Sequence, residues 1–255
     1  MMQILNPEMV NLLSAIFPRR NEPNEAWAKA FSAHMGLPRL VGYWPLNQRN
    51  ASYEYFDYSG NDKVLTPAGV GLANFMYGLQ FGIEFYVGGV SGWMERTDAE
   101  LNWPGGGWAV GGWFKFDTVV GLHSLISKWN SSGNQMGYIL YVETGAPKFL
   151  ITTDGATGYS KTGTTITANS WHHIVGEFYP STKMSIWVDG VESYRVDAVP
   201  ATIFGSNADF ELGTNDAHTL NYFNGQMCHI FVSNSAGIGI FIKTLFQQTR
   251  GLFGV

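Results

Sequence analysis

Two runs in the second half of the chain, Trp171-His-His-Ile-Val175 and Met184-Ser-Ile-Trp-Val-Asp-Gly190, constrain the fold more than anything else in the sequence. Each reads as a β-strand, and Asp189-Gly190 supplies a hairpin turn after the second, because glycine takes positive φ freely and aspartate tolerates it. A third run sharpens the pattern. Strict alternation in Trp108-Ala-Val-Gly-Gly-Trp-Phe-Lys-Phe116 sends Trp108, Val110, Phe114 and Phe116 to one face, and Ala109, Gly111, Trp113 and Lys115 to the other.

Similar runs span 122–129, 137–143, 148–153, 209–213 and 227–233, separated by Gly, Asn, Asp and Ser. That is enough for two facing sheets. The expected fold class is all-β, a jelly-roll β-sandwich of two antiparallel sheets with a short helical N-terminal extension and a C-terminal helix. The 31 glycines, 15% aromatic content and 14% charged content of the 255 residues fit a turn-rich chain with a sizeable apolar core.

The N-terminal part has a different texture. Met9, Val10, Leu12, Leu13, Ile16 and Phe17 recur at helical spacing between Pro7 and Pro18, and Trp27, Ala30, Phe31 and Met35 do so ahead of Gly36 and Pro38. Neither short helix buries its apolar stripe alone. Residues 1–38 are therefore expected either to pack against the sandwich and close a sheet edge or to form an anchor or oligomerisation element, with Leu12, Leu13, Ile16, Phe17, Trp27 and Phe31 as its assembly residues, and 39–255 to form the sandwich. The apolar spacing of Ile240 to Arg250 predicts a terminal helix that packs back on the sheets.

Charge and composition exclude several function classes. A net charge of -5 gives no basic footprint for nucleic-acid phosphates. The single cysteine, Cys228, excludes an intrachain disulfide and sits in an apolar run as a small hydrophobe. No run approaches the ~20 apolar residues of a membrane helix, so membrane insertion is not expected. The first residues lack the basic region of a secretory signal.

Several motifs in a fixed order carry a resemblance. Leu40-Val-Gly-Tyr-Trp-Pro-Leu46 is followed by Asp57-Tyr-Ser-Gly-Asn61, then by Gly112-Trp-Phe-Lys-Phe116, Leu125-Ile-Ser-Lys-Trp129, Trp171-His-His-Ile-Val175, Ile186-Trp-Val-Asp-Gly190, Phe210-Glu-Leu-Gly213 and Phe223-Asn-Gly-Gln226. From Leu40 onward the chain resembles the laminin-G-like modules of the concanavalin A-like lectin and glucanase superfamily. It is similar to such modules in structural proteins of tailed bacteriophages.

The resemblance implies a non-enzymatic virion structural or decoration protein, on a capsid or tail surface, whose sandwich contacts host glycans. Its partners would be other virion proteins, further copies of itself and cell-surface glycans. It would assemble in the host cytoplasm and act outside the cell. A free, calcium-assisted carbohydrate-binding module is the alternative, and a glycoside hydrolase a more distant one. No cofactor is required. Calcium is the one ion the resemblance brings in, with Asp57 and Asn61 of the opening loop, or Asp154, Asn215 and Asp216 of later loops, as its candidate ligands and an Asx turn at Asp57 as the plain structural role.

No catalytic residue is assigned. The Glu-x-Asp-x-x-Glu strand of the superfamily's glucanases is absent, and Glu95, Asp98 and Glu100 lie in a stretch that reads as a solvated loop. His172 and His173 are strand neighbours, so they point to opposite faces and cannot share a metal, and a hydrogen-bonded structural role suits His173. Ligand binding falls to rings able to stack on sugar C–H faces, Trp93, Trp129, Tyr159, Trp187 and Tyr222, and to Asn215 and Asp216, able to bond hydroxyls. Each of these rings has core packing as its competing role. The segments 203–207 and 214–220 read as loops on one rim, where function is expected.

Overall fold

A computed structural model describes residues 40–46, 54–69, 71–77, 80–97, 101–103, 105–216, 218, 221–235 and 238–255. The assembly residues Leu12, Leu13, Ile16, Phe17, Trp27 and Phe31 lie outside the described residues. The strands are β1 (Leu40–Trp44), β2 (Thr66–Gly69), β3 (Leu72–Tyr77), β4 (Gln80–Phe85), β5 (Gly92–Arg96), β6 (Trp108–Phe116), β7 (Leu122–Asn130), β8 (Gln135–Glu143), β9 (Ala146–Thr152), β10 (Gly158–Thr162), β11 (Trp171–Tyr179), β12 (Lys183–Val188), β13 (Val191–Arg195), β14 (Phe210–Leu212) and β15 (Gly225–Ser233). One α-helix follows, α1 (Gly239–Phe253).

The strands form two antiparallel sheets. The first runs β13-β12-β11-β6-β15-β4-β3, with β1 also paired to β15, and the second runs β10-β9-β8-β7-β14-β5-β2. Alternation decides what lies between them. Trp108, Val110, Phe114 and Phe116 of β6 join Tyr138, Leu140, Val142, Phe149 and Ile151 of β8 and β9 in one buried cluster. Full burial of each such aliphatic or Phe side chain contributes roughly 1.5–3 kcal/mol. Gly176 of β11 lets the sheets approach, since a Cβ there would stand 2.4 Å from the Phe149 ring.

The opposite face of β6 is buried as well. Helix α1 packs Phe241, Ile242 and Leu245 with Ala109, Val175, Trp187 and Phe231, and Phe246 and Phe253 with Trp113, Trp171 and Cys228. The Phe253 ring stacks on Trp113 with centroids 3.9 Å apart. The helix ends at Gly254, whose left-handed φ of 72° lets its N–H return to the Arg250 carbonyl. It begins against Trp187, where Gly239 leaves room that a Cβ would lose, 2.6 Å from the indole.

The Asp189-Gly190 hairpin forms as its sequence requires. Both residues have positive φ, 52° and 76°, and Val188 pairs with Val191 across a two-residue turn. The Asp189 carboxylate turns back into the sheet, accepting from the His173 backbone N–H at 2.9 Å and lying 2.8 Å from His172 Nδ1. The side-chain hydrogen bonds thus belong to His172. The His173 ring, expected to be bonded, has no partner at either nitrogen among the described residues, because its strand position points it into the apolar layer beneath α1.

Candidate functional site

On the outer face of the second sheet, Ser127 of β7, Glu211 of β14 and Glu95 of β5 stand side by side in register. Their strand neighbours Ile126, Phe210, Leu212 and Met94 face the core, so alternation forces these three polar side chains outward. His218, from the connection between β14 and β15, comes down on this row. Its Nε2 lies 2.7 Å from Glu211 Oε1 and 2.9 Å from Glu95 Oε2. Neither contact meets the geometry of a directed hydrogen bond.

Aromatic rings wall the cluster. Trp93 stacks on the His218 ring at 4.9 Å and 15°, and Tyr222 stands 6.0 Å from Trp93. Trp93 Nε1 donates to Glu95 Oε2 at 2.9 Å, and the Tyr222 hydroxyl donates to the His218 carbonyl. Ser127 Oγ lies 2.9 Å from the Thr214 carbonyl and 3.3 Å from Glu211 Oε2, so its one proton serves both. Ser124 Oγ donates to the same carbonyl at 2.9 Å.

Burial dominates the electrostatics. The Glu211 side chain is 3% exposed, and desolvation pushes its carboxyl up to about 8; the Ser127 hydroxyl opposes the shift, and the nearby Asp209, Glu95 and Asp216 add to it. At neutral pH Glu211 therefore holds its proton. This neutral carboxyl sits beneath His218, almost wholly removed from solvent.

The loop that carries His218 also builds a rim. Asp216 N–H donates to the Trp129 carbonyl at 3.0 Å, and the Asp216 carboxylate accepts from Ser131 N–H and from Asn215 Nδ2. Asn221 Nδ2 donates to Asn215 Oδ1 at 3.0 Å. Asn215 and Asp216 are thus tied to the Trp129 backbone, while Tyr222 stands beside Trp93 and bonds the His218 carbonyl. The 203–207 segment borders the same turn, where Ser206 Oγ donates to the Gln135 carbonyl.

Two of the rings lie elsewhere. Tyr159 pairs with Ile151 and packs partly buried against the main core. Trp187 is 7% exposed beneath α1, its Nε1 donating to Glu177 Oε2 at 3.3 Å, because Met184, Ile186 and Val188 take the inward face and leave it the face that the helix covers. Glu95 sits on a strand, not in a solvated loop; Asp98 and Glu100 lie outside the described residues. Sequence reasoning passed over Glu211 and His218. The traces were present in Phe210-Glu-Leu212, a lone carboxylate between two core residues, and in Trp93-Met-Glu95.

The opening loop is tied by its own hydrogen bonds. Asp57 Oδ1 accepts from Tyr43 N–H (2.9 Å) and Ser59 N–H (2.8 Å), and Oδ2 from Ser59 Oγ (2.7 Å) and Lys63 N–H (3.0 Å). Asn61 Nδ2 donates to the Leu40 and Val41 carbonyls and to Ser59 Oγ. Four donors on two oxygens account for this carboxylate as an Asx anchor that pins the loop to β1. Among the described residues no three His, Cys, Asp or Glu side chains converge in a metal-holding group.

Residues 88–236 match the family described as the concanavalin A-like lectin/glucanases superfamily. No curated protein matches the chain. Among solved structures it is similar to the binding domain of Paraclostridial Mosquitocidal Protein 1, at 12% identity and a TM-score of 0.62 over 82% of this chain and 52% of that one. It is similar to the receptor binding domain of botulinum neurotoxin type G, at 11% identity and a TM-score of 0.61 over 82% and 51%. A structure of botulinum neurotoxin type C, whose cell entry is described as dependent upon interaction with two ganglioside molecules, matches at 13% identity and a TM-score of 0.63 over 84% and 52%. At such identities the likeness is one of fold, and the chain spans about half the length of each of these structures.

Proposed function

We propose that this chain, which belongs to the concanavalin A-like lectin/glucanases superfamily, is a lectin-like module that binds glycans at the rim of its second sheet without chemically altering them. The observation that carries this is the gathering of Trp93 and Tyr222 with His218 and Glu95, beside the Asn215–Asp216 turn that bonds the Trp129 backbone, on a sheet face that bears no helix among the described residues. Rings of this kind stack on sugar C–H faces, while amides and carboxylates bond hydroxyls. Support comes from similar structures that are binding domains, one of them described by its interaction with gangliosides.

A glycan array that includes ganglioside headgroups, probed with and without calcium, tests the proposal. Saturable binding that weakens at least tenfold in Trp93→Ala is expected. A blank array in both conditions would contradict it. Release of new reducing ends from an oligosaccharide, abolished by Glu95→Gln, would instead make the chain a hydrolase.

The setting we propose is a virion surface, with the protein assembled in the host cytoplasm and the sandwich directed at host glycans. The supports are the resemblance to modules of tailed-phage structural proteins and the two apolar stripes of residues 1–38, which carry Leu12, Leu13, Ile16, Phe17, Trp27 and Phe31. Those stripes suit packing against other virion proteins or further copies of the chain. Removal of residues 1–38 is expected to abolish co-sedimentation with particles, and undiminished co-sedimentation would end the anchoring idea.

A further inference from the structure

Helix α1 lies over titratable groups that the glycan site does not use. His173 of β11 is 1% exposed; its ring sits 5.2 Å from Trp113 and is stacked 6.4 Å from Phe246 of the helix. Neither of its nitrogens has a hydrogen-bond partner among the described residues. His229 of β15 keeps a margin of its surface in solvent, with Nδ1 2.7 Å from the Tyr43 hydroxyl and its ring edge-on to Phe253 of the helix at 6.3 Å. Two imidazoles thus meet two successive aromatic anchors of one helix.

Around His173 the described residues offer little to a positive charge. Asp189 is the anion that acts on His173, and its carboxylate is already engaged by the His172 ring and the His173 backbone. Tyr43, Tyr58 and Cys228 stay neutral, since burial raises all three. Glu177 stands toward the start of the helix, its Oε1 accepting from Ile238 N–H at 3.0 Å. The helix itself brings no carboxylate: its titratable residues are Lys243 and Arg250, both exposed.

We propose that α1 is an acid-releasable cover: protonation of His173 and His229 sets two cations between helix and sheet, the helix lifts, and the aromatic sheet face beneath is uncovered while the sandwich stays folded. The division of the apolar contacts makes this separation feasible. Helix α1 contributes to two side clusters with Trp113, Trp171, Val175, Trp187 and Phe231, whereas the core between the sheets is a separate cluster without helix residues. The cost of a buried charge therefore falls on the helix layer alone.

The direction with pH follows from burial. Desolvation lowers both imidazoles to about 4 from 6.5, and for His173 the pull of Asp189 is the weaker influence. Their contribution to the closed state is complete above 6.5 and is lost as pH falls toward 4. Glu177 acts in the opposite sense, because burial raises its carboxyl and acid relieves that cost. The imidazoles carry the release.

The experiment is an acid titration of the full chain followed by 8-anilinonaphthalene sulfonate fluorescence, far-ultraviolet circular dichroism and imidazole C–H resonances. A several-fold rise in dye fluorescence as pH falls toward 4 is expected, coincident with imidazole titration and preceding any loss of the strand signal. The paired substitution His173→Phe and His229→Phe is expected to move dye uptake to lower pH. Dye uptake that coincides with loss of strand signal would overturn the proposal, as would uptake out of step with the imidazoles, or none down to pH 3.5. These readouts need no glycan, so a blank array and a failed acid release are separate results.

Discussion

The outer faces of the two sheets start from the same strand alternation and end as opposites. On the first, residues alternating with the core meet α1 and form a second apolar layer around Trp113, Trp171 and Trp187. On the second, the equivalent positions hold Ser127, Glu211 and Glu95, closed over by a loop histidine. The difference comes from what the chain does after each sheet is built. One face is apolar and covered by a helix, and the other carries a polar row closed over by a loop.

The largest test of this contrast is Trp113→Ala against Trp93→Ala. Trp113 is 1% exposed and stacked on Phe253, so its truncation is expected to cost about 3–5 kcal/mol in chemical denaturation. Trp93 is half-buried against a loop, and its loss is expected to cost about 1 kcal/mol. Equal losses would erase the distinction between the faces.

The two faces also set opposite pH limits. Acid works through the covered face. With His173 lowered to about 4 from 6.5, neutral burial of this ring contributes on the order of 3 kcal/mol that disappears between those values, and His173→Phe is expected to flatten the decline measured by urea unfolding. Alkali works through the other face. Glu211 is raised to about 8, so stability is fully present below the usual carboxylate range and falls as pH rises through about 8. Glu211→Gln is expected to raise stability at pH 9 by about 1–2 kcal/mol, a figure discounted for the neighbouring imidazole, and to change little at pH 4. Indifference of this variant to pH would show that the row is not strained by charge.

A smaller effect concerns the opening loop. Asp57→Asn keeps the shape but replaces one acceptor oxygen by a donor, so at least one of its bonds to Tyr43, Ser59 and Lys63 is lost, at about 1–2 kcal/mol. Thermal unfolding with and without calcium measures it. Stabilisation of the parent chain by calcium that vanishes in this variant would make Asp57 an ion ligand as well as the anchor of its loop.

The sandwich was legible in the sequence because its long central strands alternate cleanly and its hairpin turn has two residues suited to positive φ. The same holds for the terminal helix, whose apolar spacing is regular. The strands β2 to β5 were not legible, since Thr66-Pro-Ala-Gly69 and Leu72-Ala-Asn-Phe-Met-Tyr77 carry proline, glycine and no strict alternation. Alternation identified which side chains leave the core and was silent on what covers them. Trp187 and Trp93 therefore read alike, and only the path of α1 separates them. The Glu95, Glu211 and His218 contact joins residues remote in sequence, which no local pattern records.

The measurement that bears most directly on the account is glycan titration of the full chain beside Trp93→Ala and Trp187→Ala. Saturable binding that weakens at least tenfold in Trp93→Ala, with affinity unchanged in whatever fraction of Trp187→Ala remains folded, is the predicted result. Binding lost only in Trp187→Ala, or no glycan bound by the parent chain, would contradict it.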